Sequence, residues 1–418
     1  MANPVSKKVI EPNALQRLPE VLKSISPAGQ ILLLADDRTY KAAGETVKSI
    51  LLAGGRQLHE CILQRNEPLV PDERALGEIL IKMPPGIDVL LAAGSGSITD
   101  LTRYVSYKLN KPFIAVPTAP SMDGYASTVA SLTCNGLKLA LPAVSPAAII
   151  ADTEVLTKAP PEMILAGFGD LLGKYTSLAD WKLSSIITGE SYSGEIAAMV
   201  RSAVRQAEGE FSSGIRNATL IKNLTDALVV SGEAMQEWGN SRPASGAEHH
   251  LAHFWEMQAA LAGKESHLHG TKVGIAVILA AGIYHRLFSQ ELREVKQLIS
   301  ENRPETEEEY TARVKKAFGP MAAEVLADLN GYYPDREKRA ARQLRIIENW
   351  EKMQSWVFEN VPTAEHLTEL MGGAGASVDA EEIGVDGEML KIALQNAKEV
   401  RARYTIFRLA DDIGWKVV

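Results

Sequence analysis

Hydrophobic and polar positions follow two regimes along the chain. In the first third, short apolar runs alternate with segments whose apolar residues recur every three or four positions. "ILLLAD" (31–36) predicts a buried strand, and "TYKAAGETVKSILLAG" (39–54) a helix. "QLHECILQ" (57–64) and "PDERALGEILIKM" (71–83) repeat the pair. "IDVLLAAGSGSITD" (87–100) reads as a strand running into a Gly/Ser turn. "LTRYVSYKLN" (101–110) continues as helix, and "PFIAVPT" (112–118) is a fourth strand. Strands that alternate with helices predict a parallel, doubly wound sheet. "TVASLTCNGLKLALP" (128–142) predicts a hairpin turning at Asn135-Gly136.

Past "AAIIADTEVLTKAPPEM" (147–163) the period changes. Asp152 or Thr153 caps a short helix, and Pro160-Pro161 marks its end. Helical periodicity then dominates over 162–186, 190–206, 215–238, 244–262, 271–287, 306–328, 335–359, 362–371 and 387–409. "GGAGASVDAEEIGVDGE" (372–388) reads as loop. The expected organisation is an α/β domain over 1–160 and an all-α domain over 161–418, with the cleft between them as the expected ligand site.

Composition narrows the function classes. The 418 residues are 46% hydrophobic and 23% charged, an ordinary globular balance. A net charge of −8 without a basic stripe gives no footprint for nucleic acid. The two cysteines, Cys61 and Cys134, make neither a disulfide framework nor a metal-type pair. The opening residues carry no apolar signal region, and "VGIAVILAAGIYH" is too short to span a bilayer. The expectation is a cytoplasmic protein.

Three stretches carry candidate chemistry. Gly94, Ser95, Gly96 and Ser97 follow an apolar strand and open a helix. There, small residues let backbone amides approach a pyrophosphate. The same residues also make an ordinary strand-to-helix turn. Asp100 lies one turn on, where it braces the loop or meets the cofactor. Asp36 ends the first strand of the set, a place that suits ribose hydroxyls or a helix cap. "VPTAPSMDGYAS" (116–127) offers Thr118, Ser121, Asp123 and Ser127 in a loop shaped by Pro and Gly. Further along, Asp170 stands on a helix past the boundary. His249 and His253 are four residues apart and share a helical face, and His269 opens the next helix. A carboxylate with two imidazoles is a common catalytic metal set. Alone, each of these residues has a structural explanation.

"GSGSITD", "VPTAPSMDGYAS", "GFGDLLGKYTSLADWKL", "SRPASGAEHHLAHFWE" and "HGTKVG" occur in the order seen in sn-glycerol-1-phosphate dehydrogenases. The chain resembles that family over roughly residues 30–290, within the superfamily of glycerol dehydrogenase, iron-containing alcohol dehydrogenase and dehydroquinate synthase. The long helical end resembles the bacterial branch. The resemblance implies a Rossmann-like domain with NAD or NADP, and a helical domain with one divalent metal ion (zinc, nickel or iron). It implies reduction of dihydroxyacetone phosphate to sn-glycerol 1-phosphate for lipid synthesis, in a homodimer.

Carried over residue by residue, Asp170, His249 and His269 hold the metal, while Asp123, Asp170 and His253 serve substrate and catalysis. Cofactor contacts carried over fall on Gly94, Ser95, Gly96, Ser97, Ile98, Thr118, Ala119, Pro120, Ser121 and Ser127, and Asp36 and Asp100 join them as candidates by their positions at the strand end and one turn past the loop. Lys174, Arg242 and Ser121 are candidates for the substrate phosphate by charge and neighbourhood. Many relatives carry Gly-Gly-Gly-Lys where this chain has "GSGS", which removes a positive charge beside the pyrophosphate. His250 adds a third imidazole beside the ligand position. Two alternatives stay open: a glycerol dehydrogenase acting on unphosphorylated polyols, and a non-catalytic nucleotide- or metal-binding member.

Overall fold

A computed structural model describes residue 5 and residues 7–134, 137–212, 218–264, 266–328 and 336–417. The strands are β1 (Lys7–Glu11), β2 (Gln30–Asp36), β3 (Leu58–Leu63), β4 (Ile87–Gly94), β5 (Phe113–Pro117), β6 (Val129–Cys134), β7 (Leu137–Pro142) and β8 (Ala148–Asp152). Helices α1 (Leu18–Ile25), α2 (Asp37–Thr39), α3 (Glu45–Ala53), α4 (Glu73–Lys82), α5 (Gly96–Leu109), α6 (Thr153–Leu156) and α7 (Pro161–Leu172) lie among and after them. The helical region continues with α8 (Lys174–Ile187), α9 (Gly194–Ser212), α10 (Ala218–Trp238), α11 (Ala247–Leu261), α12 (His269–Phe288) and α13 (Leu292–Glu301). It ends with α14 (Glu307–Phe318), α15 (Ala322–Asp328), α16 (Arg336–Asn360), α17 (Ala364–Ala374), α18 (Gly387–Asn396) and α19 (Ile406–Ile413).

Two compact units emerge. The first comprises residues 1–171 and 202–240, and the second residues 172–201 and 241–418. The first is built on a six-stranded sheet in the order β1-β8-β5-β4-β2-β3, with every pair parallel. Residues Ile31–Ala35 and Val89–Gly94 are continuously buried, as expected of strands covered on both faces. Ile31, Leu33, Val89, Leu91 and Ile114 pack with Val47 and Leu51 of α3 and with Leu18 and Leu22 of α1. From β2 the chain goes to β3 on one side, and β4 lies on the other. The order therefore reverses between β2 and β4, and their carboxyl ends form the crevice where doubly wound sheets bind ligands. β6 and β7 pair antiparallel, as the hairpin pattern predicts; the turn at Asn135-Gly136 lies outside the described residues.

Among its described residues the second unit is built of helices and connecting segments, with no strand. α12 is long and apolar enough by composition to cross a membrane, with mean hydropathy 1.3, but 72% of that stretch is buried within the protein. Several elements depart from the sequence reading. β1 and β8 add a parallel pair to the sheet, and α13 occupies a stretch with no expected helix. The predicted helix over 162–186 breaks at Gly173 into α7 and α8. The helix expected over 387–409 stops at Asn396. A 3-10 turn (Ala397–Glu399) and an irregular segment then lead to α19. There tertiary bonds override local propensity: the Ile406 amide donates to Asp180 Oδ1 at 2.6 Å, and Arg403 spends its guanidinium on the Ser241–Ser245 segment.

Candidate active site

In the sheet unit, β4 delivers Gly94 to the crevice and Ser95 starts α5. Ser95 has extended backbone and makes no capping bond to the first amides of α5 with its side chain. Gly94 is required by close approach, since a Cβ there would lie 2.5 Å from the Ile98 Cβ. Ser95, Gly96 and Ser97 are half-buried, while Ile98 and Asp100 are buried. Asp36 ends β2, and its Oδ1 accepts the amides of Arg38 at 2.9 Å and Thr39 at 2.7 Å. The cap that the sequence allowed is therefore formed, and both amides fall on one of the two carboxylate oxygens. Beyond β2 and β3 lies an open polar cavity of about 560 Å³, lined by Asp37, Gln64, Arg65, Asn66, Glu67 and Arg74.

The loop after β5 is fixed by a residue that the sequence reading passed over. Arg103, fully buried on α5, donates to Asp100 Oδ1 at 2.5 Å and to the carbonyls of Gly124, Tyr125 and Val129. Asp100 thus braces the loop through Arg103. The Asp-x-x-Arg spacing on one helical face was the available signal. The Thr118 amide donates to the Gly94 carbonyl at 3.3 Å, and the Tyr125 hydroxyl to the Ala119 carbonyl at 2.6 Å. Thr118, Ala119, Pro120 and Ser127 are buried, and Ser121 is half-buried. The Ser127 hydroxyl accepts the Val129 amide at 3.0 Å. α7 approaches so closely that a Cβ on Gly167 would sit 1.7 Å from the Pro120 carbonyl oxygen. Asp170, fully buried on α7, accepts the Asp123 amide at 3.0 Å. The Asp123 carboxylate accepts the Ser231 hydroxyl at 2.9 Å.

In the helical unit, the three histidines differ in their partners. Gly246 cannot cap α11 with a side chain, so two buried carboxylates do so. Asp180 Oδ2 accepts the Ala247 amide at 2.6 Å, and Glu248 Oε1 accepts the Gly246 amide at 2.7 Å. Glu248 Oε1 also accepts the His249 Nδ1 proton at 2.8 Å, and Oε2 accepts the Thr176 hydroxyl at 2.5 Å. Burial would push Glu248 upward; His249, Thr176 and the Gly246 amide outweigh it and hold the acid below its ordinary range.

Glu256, two turns further along α11, does the same for the other pair of histidines. It accepts from His269 Nδ1 at 2.8 Å and from His253 Nδ1 at 3.1 Å, and it pairs with Lys272 Nζ at 2.9 Å. The ring centroids of His249 and His269 are 5.2 Å apart, and those of His253 and His269 are 5.1 Å apart. A histidine whose Nδ1 is held by a carboxylate has Nε2 left for a metal or substrate, the usual outer-shell arrangement. His253, Glu256 and His269 also lie close enough together to hold an ion by themselves. Lys272 already occupies Glu256, which marks that carboxylate as an orienting group rather than a ligand. Burial drives the pKa of His253 down to about 3 against the pull of Glu256, with the charges of His269 and Arg401 adding to the fall.

His250 is the exception: fully buried, it has no partner on either ring nitrogen among the described residues. Burial, with Arg403 and Arg401 nearby, keeps it neutral. Of the residues weighed for a phosphate, Arg242 is buried and spends its guanidinium on Glu190 and the Tyr404 carbonyl. Lys174 is buried and donates to the Ala244 carbonyl at 3.1 Å.

These features define a doubly wound α/β unit with a crevice at its strand switch point, joined in one chain to a helical unit bearing paired histidines. Solved structures share this fold. A 1,3-propanediol oxidoreductase matches over the whole of both chains with a TM-score of 0.61 and 15% identity. The glycerol dehydrogenase of Schizosaccharomyces pombe gives a TM-score of 0.55 at 16% identity, over 89% of this chain and 93% of its own. Residues 9–160 match the family described as iron-containing alcohol dehydrogenase.

At the level of sequence, glycerol-1-phosphate dehydrogenase (NAD(P)+) of Halalkalibacterium halodurans is 34% identical over 397 residues, covering 94% of this chain and 89% of the relative. Its counterpart in Geobacillus stearothermophilus is 32% identical over 416 residues, covering 98% and 93%. The chain belongs to the glycerol-1-phosphate dehydrogenase family.

Proposed function

We propose that the protein is an NAD(P)-dependent, metal-requiring oxidoreductase that interconverts dihydroxyacetone phosphate and sn-glycerol 1-phosphate. The observation that carries this reading is its 34% identity, over 94% of its length, to a relative of that name. In this reading the Gly94–Ser97 turn and the first amides of α5 receive the pyrophosphate. Asp36 offers its second carboxylate oxygen to ribose hydroxyls. Thr118–Ser121 and Ser127 line the nicotinamide side.

His249 and His269, each with Nδ1 already held by a carboxylate, would hold the metal, with Asp170 as the third ligand on the strength of the sequence resemblance. The donor set suits a divalent ion, since each imidazole is already oriented by a carboxylate. Bound by these groups, the ion supplies Lewis-acid polarisation of the substrate carbonyl, and the reduced nicotinamide supplies the hydride. Neutral His253, its Nδ1 proton on Glu256, presents Nε2 as an acceptor that would take a hydrogen bond from a substrate hydroxyl. Asp123, steadied by Ser231, fixes a substrate hydroxyl. The net charge of −8 gives no basis for a nucleic-acid partner, and a cytoplasmic homodimer belongs to the same reading.

The test is NADH and NADPH oxidation with dihydroxyacetone phosphate after metal removal and return of single ions, followed by chiral assignment of the product. Activity that survives complete chelation would remove the metal. Faster turnover of dihydroxyacetone than of its phosphate would favour a glycerol dehydrogenase instead.

A further inference from the structure

We propose that Arg403, with Arg401 beside it, forms an anion subsite in the helical unit that takes the phosphate of the substrate. The proposal rests on the reading of that substrate as a small ketose phosphate. Arg403 reaches from the irregular segment before α19 to the Ser241–Ser245 segment that leads into α11. Its Nη2 donates to Ser241 Oγ at 2.8 Å, and its Nη1 to the Ser245 carbonyl at 3.0 Å. Arg401 Nη1 donates to the same Ser241 hydroxyl at 3.3 Å. Two half-buried guanidinium groups thus converge on one neutral oxygen.

Other buried arginines of this unit end on carboxylates: Arg242 on Glu190, Arg408 on Glu399. Both hydrogen bonds of Arg403 end on neutral oxygens instead. Glu190 and Glu248 act on Arg403 only through their charge, and a poorly hydrated cation whose hydrogen bonds end on neutral oxygens gains from an anion that accepts them directly. Burial first, and then the charges of Arg401 and Arg242, bring the Arg403 pKa down to about 9 against the opposing pull of Glu190 and Glu248.

A second observation points to a missing ligand. Among the described residues, the Ser245 hydroxyl and both ring nitrogens of His250 are buried without a hydrogen-bond partner. Both residues belong to the segment that Arg403 holds or to the first turns of α11, and the charges of Arg403 and Arg401 bear on His250. The charge of Arg401 also reaches His253, the imidazole assigned to the substrate, one turn along the helix. The planar fork of arginine matches phosphate oxygens bidentately, which is why the ligand class is a phosphate monoester rather than an uncharged polyol.

The experiment compares the metal-loaded wild type with R403M, R401M and R403K. Steady-state kinetics are run with dihydroxyacetone phosphate and with dihydroxyacetone, and inorganic phosphate binding is measured by calorimetry. Thermal melting confirms that each variant is folded. R403M should raise KM for the phosphorylated substrate tenfold or more with a smaller change in kcat. It should lower phosphate affinity in parallel and reduce the preference for the phosphorylated over the free triose. R401M should act in the same direction, R403K should recover some of the loss, and added guanidinium ion should partly rescue R403M.

Folded R403M and R401M with wild-type KM and wild-type phosphate affinity would overturn the subsite and leave the dehydrogenase reading standing. A wild type that does not prefer the phosphorylated triose would instead overturn the substrate reading. In that case phosphate binding to the wild type, lost in R403M, would still decide the subsite. Should R403M fail to fold, R401M and R403K carry the same decision.

Discussion

At the scale of single residues, three neighbouring imidazoles are told apart by what holds their Nδ1 atoms. His249 leans on Glu248, and His253 and His269 share Glu256, while His250 has nothing. H249A is therefore expected to lose bound metal and turnover together, as read by elemental analysis and NADH oxidation. H250L should keep its metal, because it exchanges an unsatisfied buried ring for an apolar group of similar reach. Metal loss in H250L with retention in H249A would reverse the assignment. E256Q keeps the shape of Glu256 but can accept from only one oxygen, so either His253 or His269 loses its anchor. Metal affinity should fall by about tenfold to a hundredfold, measured by chelator competition. Unchanged affinity would reduce Glu256 to a partner of Lys272. The histidines were legible in the sequence because His-x-x-x-His is a helical face. Their carboxylates were only partly legible: Glu256 continues that face three residues past His253. Glu248, next to His249 in sequence, matters through a bond that depends on how the chain enters α11.

At the scale of elements, the Gly/Ser turn works because the strand before it and the helix after it are forced close together. G94A would place a methyl group 2.5 Å from the Ile98 Cβ and push α5 away from the end of β4. The expected result is a folded protein whose NADH affinity, followed by nicotinamide fluorescence, drops at least several-fold. An unaltered affinity would show that the turn carries no cofactor. β2 to β5 were legible because each is an apolar run bounded by turn residues. β1 was not, since "KKVIE" offers two apolar residues among charges. β8 was not, since the five buried residues "AIIAD" have no period that separates strand from helix. α13 escaped notice because only Val295 of its ten residues is fully buried. The broken helix over 387–409 shows the opposite error: its pattern is helical, and bonds to Asp180 and Ser241, distant in sequence, decide otherwise.

At the scale of the whole molecule, charge does different work in the two units. The sheet unit is organised by apolar strands, whereas the helical unit binds its carboxyl-terminal segments with buried ion pairs. Glu399 is the centre of one such set: 1% exposed, it accepts from Arg408 at 2.5 Å, Arg313 at 2.9 Å and the Tyr310 hydroxyl at 3.0 Å. Burial would raise its pKa, but Arg408, Arg313 and Lys398 overcome that and bring it down to about 2 from the ordinary 4.5. A carboxylate depressed on folding stabilises the native state above its unfolded pKa, so this contribution is present above pH 4.5 and is lost as the pH falls toward 2. The shift corresponds to about 3 kcal/mol. E399Q leaves Arg313 and Arg408 without their shared carboxylate, and at neutral pH it should cost stability of similar size, about 3–5 kcal/mol. It should also flatten the acid limb of the stability curve. Urea denaturation followed by helical signal at stepped pH checks both, and a wild-type slope between pH 4.5 and 2 in E399Q would mean that other carboxylates control acid unfolding. Because Glu399 stands just before Arg401 and Arg403, E399Q should also loosen the segment from which the proposed phosphate contacts arise. A rise in KM for the phosphorylated substrate that tracks the loss of stability would tie the two together.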